Sequence, residues 1–256
     1  DLSQVLDKKI VDHFIWIDKK KFLFNLLYRF KVLKNLNKNS YTLLLHPTFS
    51  RDFFVSDWIS NFVTSKKKIS FLGDCSNQLY YAKKISDNYY NYLIKNKKSN
   101  KFDFFKYKNF FEAFLKKKIK IQRTFIKKSY LSNHFKFRNY ISFFVTAGSK
   151  NRMYSLKNFI SLAELIQNNY NYKIIFLGGN ENNLDQNFNN KKFVNLINRT
   201  NLIQLTEIIR KSRLLISNDT CAHHIAAAVN TECVVLGKGL HHGRFLPYPK
   251  SFNIIH

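Results

Sequence analysis

Two hydrophobic periods alternate along the second half of the chain. Residues 141–145 form a short β-rich apolar run, and 156–167 then carry apolar side chains at 159, 162, 163 and 166, the stripe of a helix. Residues 173–177 return to a strand pattern that stops at Gly178-Gly179. A further strand is predicted over 193–197, with Leu202, Leu205 and Ile209 at helical spacing behind it. Residues 214–217, an Ala-rich helix and a strand over 233–236 complete the series. Strands alternating with helices predict a parallel sheet with right-handed crossovers, and binding sites in such sheets lie beyond the strands' carboxyl ends. The first half is less regular. Strands are expected at 14–17, 41–45 and 69–72, with helices over 22–36, 51–63, 78–96 and 102–119. A Lys-rich segment near 127–138 joins a first domain, 1–136, to a second, 137–256.

Residues 214–248 carry the densest chemistry. Asp219 and Thr220 sit where a parallel strand ends and a helix begins, so the helix's unpaired N–H groups and dipole can hold a phosphate there. The same two residues are also favoured as an ordinary helix cap. Gly237, Gly239 and Gly243 follow the next strand, where the lack of side chains lets backbone amides approach a diphosphate. His223 and the His241-His242 pair lack the spacing of a metal site, and no metal is expected.

This stretch resembles the C-terminal domain of family 9 glycosyltransferases, the heptosyltransferase-type enzymes of lipopolysaccharide synthesis. Their pattern here is approximately S-N-D-T-x-x-x-H-x-A-A-A, an apolar strand, a Gly-rich loop and Pro-Tyr. The chain supplies Ser217, Asn218, Asp219, Thr220, His224, Ala226, Ala227, Ala228, Pro247 and Tyr248, and departs at Cys221 and Lys238. A second signature, a small-residue loop leading to a basic residue and a helix start, looks like VTAGSKNRMYSLKNF at 145–159, with Tyr154 in place of the usual Trp. The resemblance covers 141–250 well and 12–75 more loosely.

The resemblance implies an α/β GT-B architecture, two Rossmann-like domains facing each other across a cleft, the N-terminal one incomplete. It implies an inverting, metal-independent glycosyltransferase that moves a heptose-like sugar from a nucleotide-diphosphate donor to a lipopolysaccharide-type acceptor. No cofactor is implied beyond the nucleotide sugar, for which ADP-heptose is the family's best-known example. Arg152 falls where relatives carry a basic donor-phosphate residue, with Lys150 as the fallback. Thr146, Ser149, Asp219, Thr220, Cys221, Gly237, Gly239, Gly243 and Arg244 join it on the donor side. His224 reads equally as a phosphate donor or as a core histidine bonded to a carbonyl. Glu181 lies where a carboxylate often reads the ribose. Arg51 would face the acceptor; Asp52 is a weak candidate base, and Ser50 and Asp52 read as well as a helix cap. Starting at Asp1 within an amphipathic segment, the sequence reads as a fragment. The family's proposed base, an Asp in the first strand–helix loop, has no counterpart in it.

Composition adds one further feature. The 256 residues carry 43 Lys and Arg against 16 Asp and Glu, a formal charge of +27. Such a field favours anionic membrane surfaces and other polyanions. Abundant Lys, Asn, Ile, Phe and Tyr beside only 7 Gly and 3 Pro equally describe AT-rich codons. The lysines are dispersed, which argues against a dedicated nucleic-acid face. A polyanion-binding protein and an inactive GT-B homologue remain the alternatives. No apolar run is long enough to span a bilayer and no signal peptide is evident. Cys75, Cys221 and Cys233 are odd in number and lack metal spacing, so the expected setting is reducing and cytoplasmic, at the inner membrane face.

Overall fold

The apolar runs fold into two parallel sheets in the computed structural model of the chain, which describes residues 11–96, 102–121, 123–127, 135, 137–179, 192–239 and 242–255. Residues 13–120 make one compact unit, and 121–256 belong to the other.

The first unit runs α1 (Lys19–Phe24), α2 (Leu26–Leu36), β1 (Tyr41–His46), a π-helical turn (Phe53–Asp57), α3 (Trp58–Phe62), β2 (Ser65–Phe71), α4 (Tyr80–Asp87), β3 (Tyr92–Ile94) and α5 (Asp103–Leu115). Its sheet has the order β1-β2-β3, all parallel. Ile69, Phe71, Ile94 and Phe110 form the core beneath α5. Three expectations change here. The helix over 22–36 is broken at Asn25, whose backbone is extended (φ −118°, ψ 104°); its amide closes α1 on Lys21 and its side chain caps α2 at Tyr28. Asn suits such a boundary because its short carbonyl reaches the unpaired N–H groups of the next helix. Residues 78–96 are not one helix: α4 ends at Asp87 and β3 pairs with Ile69–Phe71, a strand too short for alternation to reveal. Residues 14–17 form no strand, because no described neighbour offers them a ladder.

A buried polar cluster sits behind β1. Arg51 is fully buried; its guanidinium pairs with Asp57 at 3.3 Å and with Asp87, and lies 5.0 Å from the Tyr90 ring centre. The Tyr90 hydroxyl donates to Asp57 at 2.7 Å and lies 2.6 Å from His46 Nδ1. Burial, then Asp57, raises the Tyr90 hydroxyl pKa above its usual value. Burial also holds His46 down at about 4; Asp57 pulls upward and Arg51 downward.

The second unit runs β4 (Tyr140–Phe144), a 3-10 turn (Lys150–Arg152), α6 (Leu156–Asn169), β5 (Lys173–Gly178), β6 (Val194–Ile197), α7 (Leu202–Lys211), β7 (Leu214–Asn218), α8 (Cys221–Val229), β8 (Cys233–Leu236), a second 3-10 turn (Lys250–Phe252) and β9 (Ile254–Ile255). Sheet order is β6-β5-β4-β7-β8-β9, every pair parallel. That is the doubly wound order of nucleotide-binding domains. All five residues of β4 are buried, as a central parallel strand covered on both faces requires. Phe143, Phe159, Ile174, Phe176 and Ile197 form the core. Segment 123–126 is fastened to the end of α8: Arg123 donates to Ala227 O and Asn230 Oδ1, and Ile126 N donates to Ala228 O.

The buried cluster yields two predictions. Arg51→Leu strands Asp57 as an uncompensated buried charge and lowers stability by about 3–5 kcal/mol, read by urea denaturation. Between pH 6.5 and about 4 the unfolded chain binds a proton at His46 that the folded chain refuses. Its contribution is therefore complete above pH 6.5 and is lost as pH falls towards 4; His46→Gln should flatten that part of the stability–pH curve.

Candidate active site

In the doubly wound order the chain leaves β4 towards one edge of the sheet and β7 towards the other, so the loops behind these adjacent strands part and open a crevice. Asn218, buried at the end of β7, holds the crevice in shape. Its Nδ2 donates to Val145 O at 2.8 Å and its Oδ1 accepts from Tyr154 N at 2.9 Å, joining the ends of β4 and β7 to the approach to α6. Thr146 extends the fastening to β5, its Oγ1 accepting from Gly179 N at 2.8 Å. Gly178 makes room for it: a Cβ there would lie 2.6 Å from Thr146 Cγ2.

Arg152, half-buried in the 3-10 turn, donates through Nη1 to Asp219 O at 3.2 Å, and a Cβ on Gly148 would meet its Nη2 at 3.4 Å. The guanidinium is thereby set beside the N-terminus of α8. Thr220 caps that helix: its Oγ1 accepts from Ala222 N at 3.2 Å, while its own N–H donates to His223 Nδ1 at 3.2 Å. This is a capping box with histidine in place of the usual Glu or Gln. Asp219 is buried, its Oδ1 4.0 Å from His223 Nε2. A fixed guanidinium next to helix N–H groups is an arrangement that attracts phosphate oxygens.

The glycine loop follows β8. Gly239 (φ +77°) and Gly243 (φ +81°) occupy the left-handed region, and Gly237 and Gly239 are exposed. His242 N donates to Gly239 O at 3.1 Å, and the Arg244 guanidinium lies 4.7 Å from the Phe245 ring centre.

The family model described as glycosyltransferase family 9 (heptosyltransferase) matches residues 29–256. The chain belongs to that family. It is a glycosyltransferase. A family 9 glycosyl transferase from Veillonella parvula superposes with a TM-score of 0.72 at 14% identity, over 99% of this chain and 73% of that one. E. coli heptosyltransferase WaaC with ADP-2-deoxy-2-fluoro heptose gives 0.67 at 14%, over 92% and 72%. E. coli ADP-heptose lps heptosyltransferase II gives 0.57 at 18%, over 89% and 74%. At these identities the likeness establishes the fold. Among curated proteins, no sequence matches the chain.

The other sequence-predicted residues of this glycosyltransferase fall as follows. Ser149 and Cys221 are exposed, one opening the 3-10 turn and the other starting α8. His224 is exposed, so the reading of it as a core histidine does not describe it; its Nδ1 bonds the Tyr248 hydroxyl and ties α8 to the loop after β8. Burial pushes the Tyr248 hydroxyl pKa up, keeping it a neutral partner. Of the adjacent pair, the buried one is His223. The Thr-x-x-His spacing carried that signal, because position three after a cap is where a reciprocal side chain sits. Arg51 is committed inside the first unit rather than exposed to an acceptor. Asp52 accepts from Phe54 N at 3.1 Å and pairs with Lys19 at 2.6 Å, which is the cap reading. Glu181 and His241 lie outside the described residues. Among the described residues, no group of three or more His, Cys, Asp or Glu could hold a metal.

Gly178→Ala should separate the ends of β4 and β5 and cost about 1–3 kcal/mol by urea denaturation. Thr146→Ser removes the clashing methyl but keeps the hydroxyl, so the double variant should recover much of that loss.

Proposed function

We propose that this glycosyltransferase transfers a heptose-like sugar from a nucleoside diphosphate to a lipopolysaccharide-type acceptor, with inversion and without a metal ion. The observation that carries this reading is the Arg152 guanidinium set beside the capped N-terminus of α8, where the strand order reverses. Support for the donor class comes from E. coli WaaC, which has been solved with ADP and with ADP-2-deoxy-2-fluoro heptose.

In this reading an acceptor hydroxyl attacks the anomeric carbon in line, and the nucleoside diphosphate leaves from the opposite face. Negative charge grows on the departing phosphate. Arg152, the positive end of the α8 dipole and the amides around Gly237 and Gly239 stabilise it, because they are already oriented and need no rearrangement. Thr220 and Asp219 shape this end of the helix; the Asp219 carboxylate would repel phosphate and suits a sugar hydroxyl instead. The hydroxyl must also lose a proton. Asp52 already serves as a cap and a lysine partner, which disfavours it as the base. No described helix is long and apolar enough to cross a membrane. We place the enzyme at the inner face of the cytoplasmic membrane, drawn there by its charge of +27.

Thermal unfolding at moderate salt with ADP, UDP, GDP, CMP or a short single-stranded DNA tests the reading. ADP at about 100 times its dissociation constant should add roughly 2.7 kcal/mol of stability. Arg152→Ala should abolish that gain. Equal responses to every polyanion, erased by salt, would instead make the charge itself the function.

A further inference from the structure

Helix α2 buries none of its 11 residues, although six of them are Leu, Val or Phe. Leu26, Leu27 and Phe30 are 73%, 84% and 68% exposed, and Phe24, across the break at Asn25, is 85% exposed. A helix turns about 100° per residue, so Leu26, Leu27, Phe30, Lys31 and Lys34 share an arc of about 140°. All five face solvent. The other side of α2 is fastened to its own unit. Asp18 N donates to the Tyr28 hydroxyl at 3.0 Å, and Arg29 donates to the carbonyls of Phe22 and Leu23 at 2.8 and 2.6 Å. The Arg29 guanidinium also lies 4.3 Å from the Trp58 ring centre, and fully buried Phe22 anchors α1. The apolar corner is therefore held outward by fixed neighbours. Exposed cations flank it, Lys20 and Lys21 in α1 and Lys31 and Lys34 in α2, and between Asp18 and Asp52 the sequence holds no acidic residue.

We propose that the α1–α2 corner docks on an anionic lipid bilayer. The inference deepens the membrane placement given above and rests on it. Phe24, Leu26, Leu27 and Phe30 enter the boundary between headgroups and acyl chains, and the lysines stay at the level of the lipid phosphates. Lysine suits that position because its long apolar stem follows the inserted surface while its ammonium remains in water. At 11 residues α2 is too short to cross a bilayer and is of a length to lie along one. The chemistry disfavours other occupants. Protein interfaces are depleted in lysine. Single-stranded nucleic acid calls for stacked rings and arginine, whereas this face is led by leucines and its one arginine is turned inward. Two copies meeting by this face would set lysine against lysine in a chain of charge +27.

Flotation of the full chain with vesicles of equimolar phosphatidylcholine and phosphatidylglycerol tests the docking face. Leu27→Gln with Phe30→Gln should weaken binding tenfold or more, since withdrawing one such side chain from water is worth about a factor of ten. Lys31→Gln with Lys34→Gln should weaken it about fivefold for each charge removed. Lys117→Gln with Lys120→Gln removes the same charge from an exposed stretch after α5 and should leave binding nearly unchanged. High salt should reduce wild-type flotation without erasing it, and should erase that of the Leu27/Phe30 variant. Glutamine is a good helix former and every substituted position is exposed, so ADP stabilisation should persist in all three variants. A wild-type chain that does not float with these vesicles overturns the membrane placement itself. Flotation undiminished in the Leu27/Phe30 variant, or lowered as much by the Lys117/Lys120 pair, leaves that placement standing and overturns this docking face. An equal loss of single-stranded DNA binding in the Leu27/Phe30 variant would also overturn it, in favour of a nucleic-acid face.

Discussion

The carboxamide of Asn218 is the fastening on which the nucleotide side of this protein depends. A parallel sheet delivers several strand ends to one edge but leaves the loops beyond them free to splay. Asn218 satisfies a carbonyl at the end of β4 and an amide before α6 with the two ends of one buried side chain. Losing such a group strands the buried Val145 carbonyl and the partly buried Tyr154 amide together. With those loops fixed, Arg152 can reach the carbonyl of Asp219, and Thr146 can bind the amide of Gly179. Sheet order fixes where the crevice lies, and Asn218 fixes its walls.

Legibility followed the range of the forces involved. The second unit could be read because its elements are long enough to show their own period: helix α6 presents Phe159 and Ala163 to the core, as the spacing requires. Strand β3 was lost to view because three residues become a strand only through pairing with β2. The break at Asn25 came from one side chain serving two helix ends, a local signal hidden inside a continuous apolar stripe. At the site, Asp219 and Thr220 were placed by the strand–helix junction alone. His223 and His224 were harder, since adjacent residues on a helix point in different directions and only the cap distinguishes them.

The large positive charge is also better understood by partner than by number. Arg51 and Arg152 belong to the same cationic background in the sequence, yet one is spent inside the first unit between Asp57 and Asp87, and the other is held half-buried over Gly148 with a carbonyl as its anchor. Lys106 similarly pairs with Asp103 and lies over the Phe49 ring. Biased composition can supply cations in bulk; only the surrounding backbone decides which of them is aimed.

Helix α8 has both of its ends in use. Its first turn carries the Thr220–His223 box beside Arg152, and its last turn is gripped by Arg123 and by the amide of Ile126, from the stretch that leads out of the first unit. Nine residues of α-helix make a stiff rod of roughly 14 Å. The Arg152 side of the helix and segment 123–126 are therefore joined through one stiff element, and a displacement at either end of the rod is carried to the other.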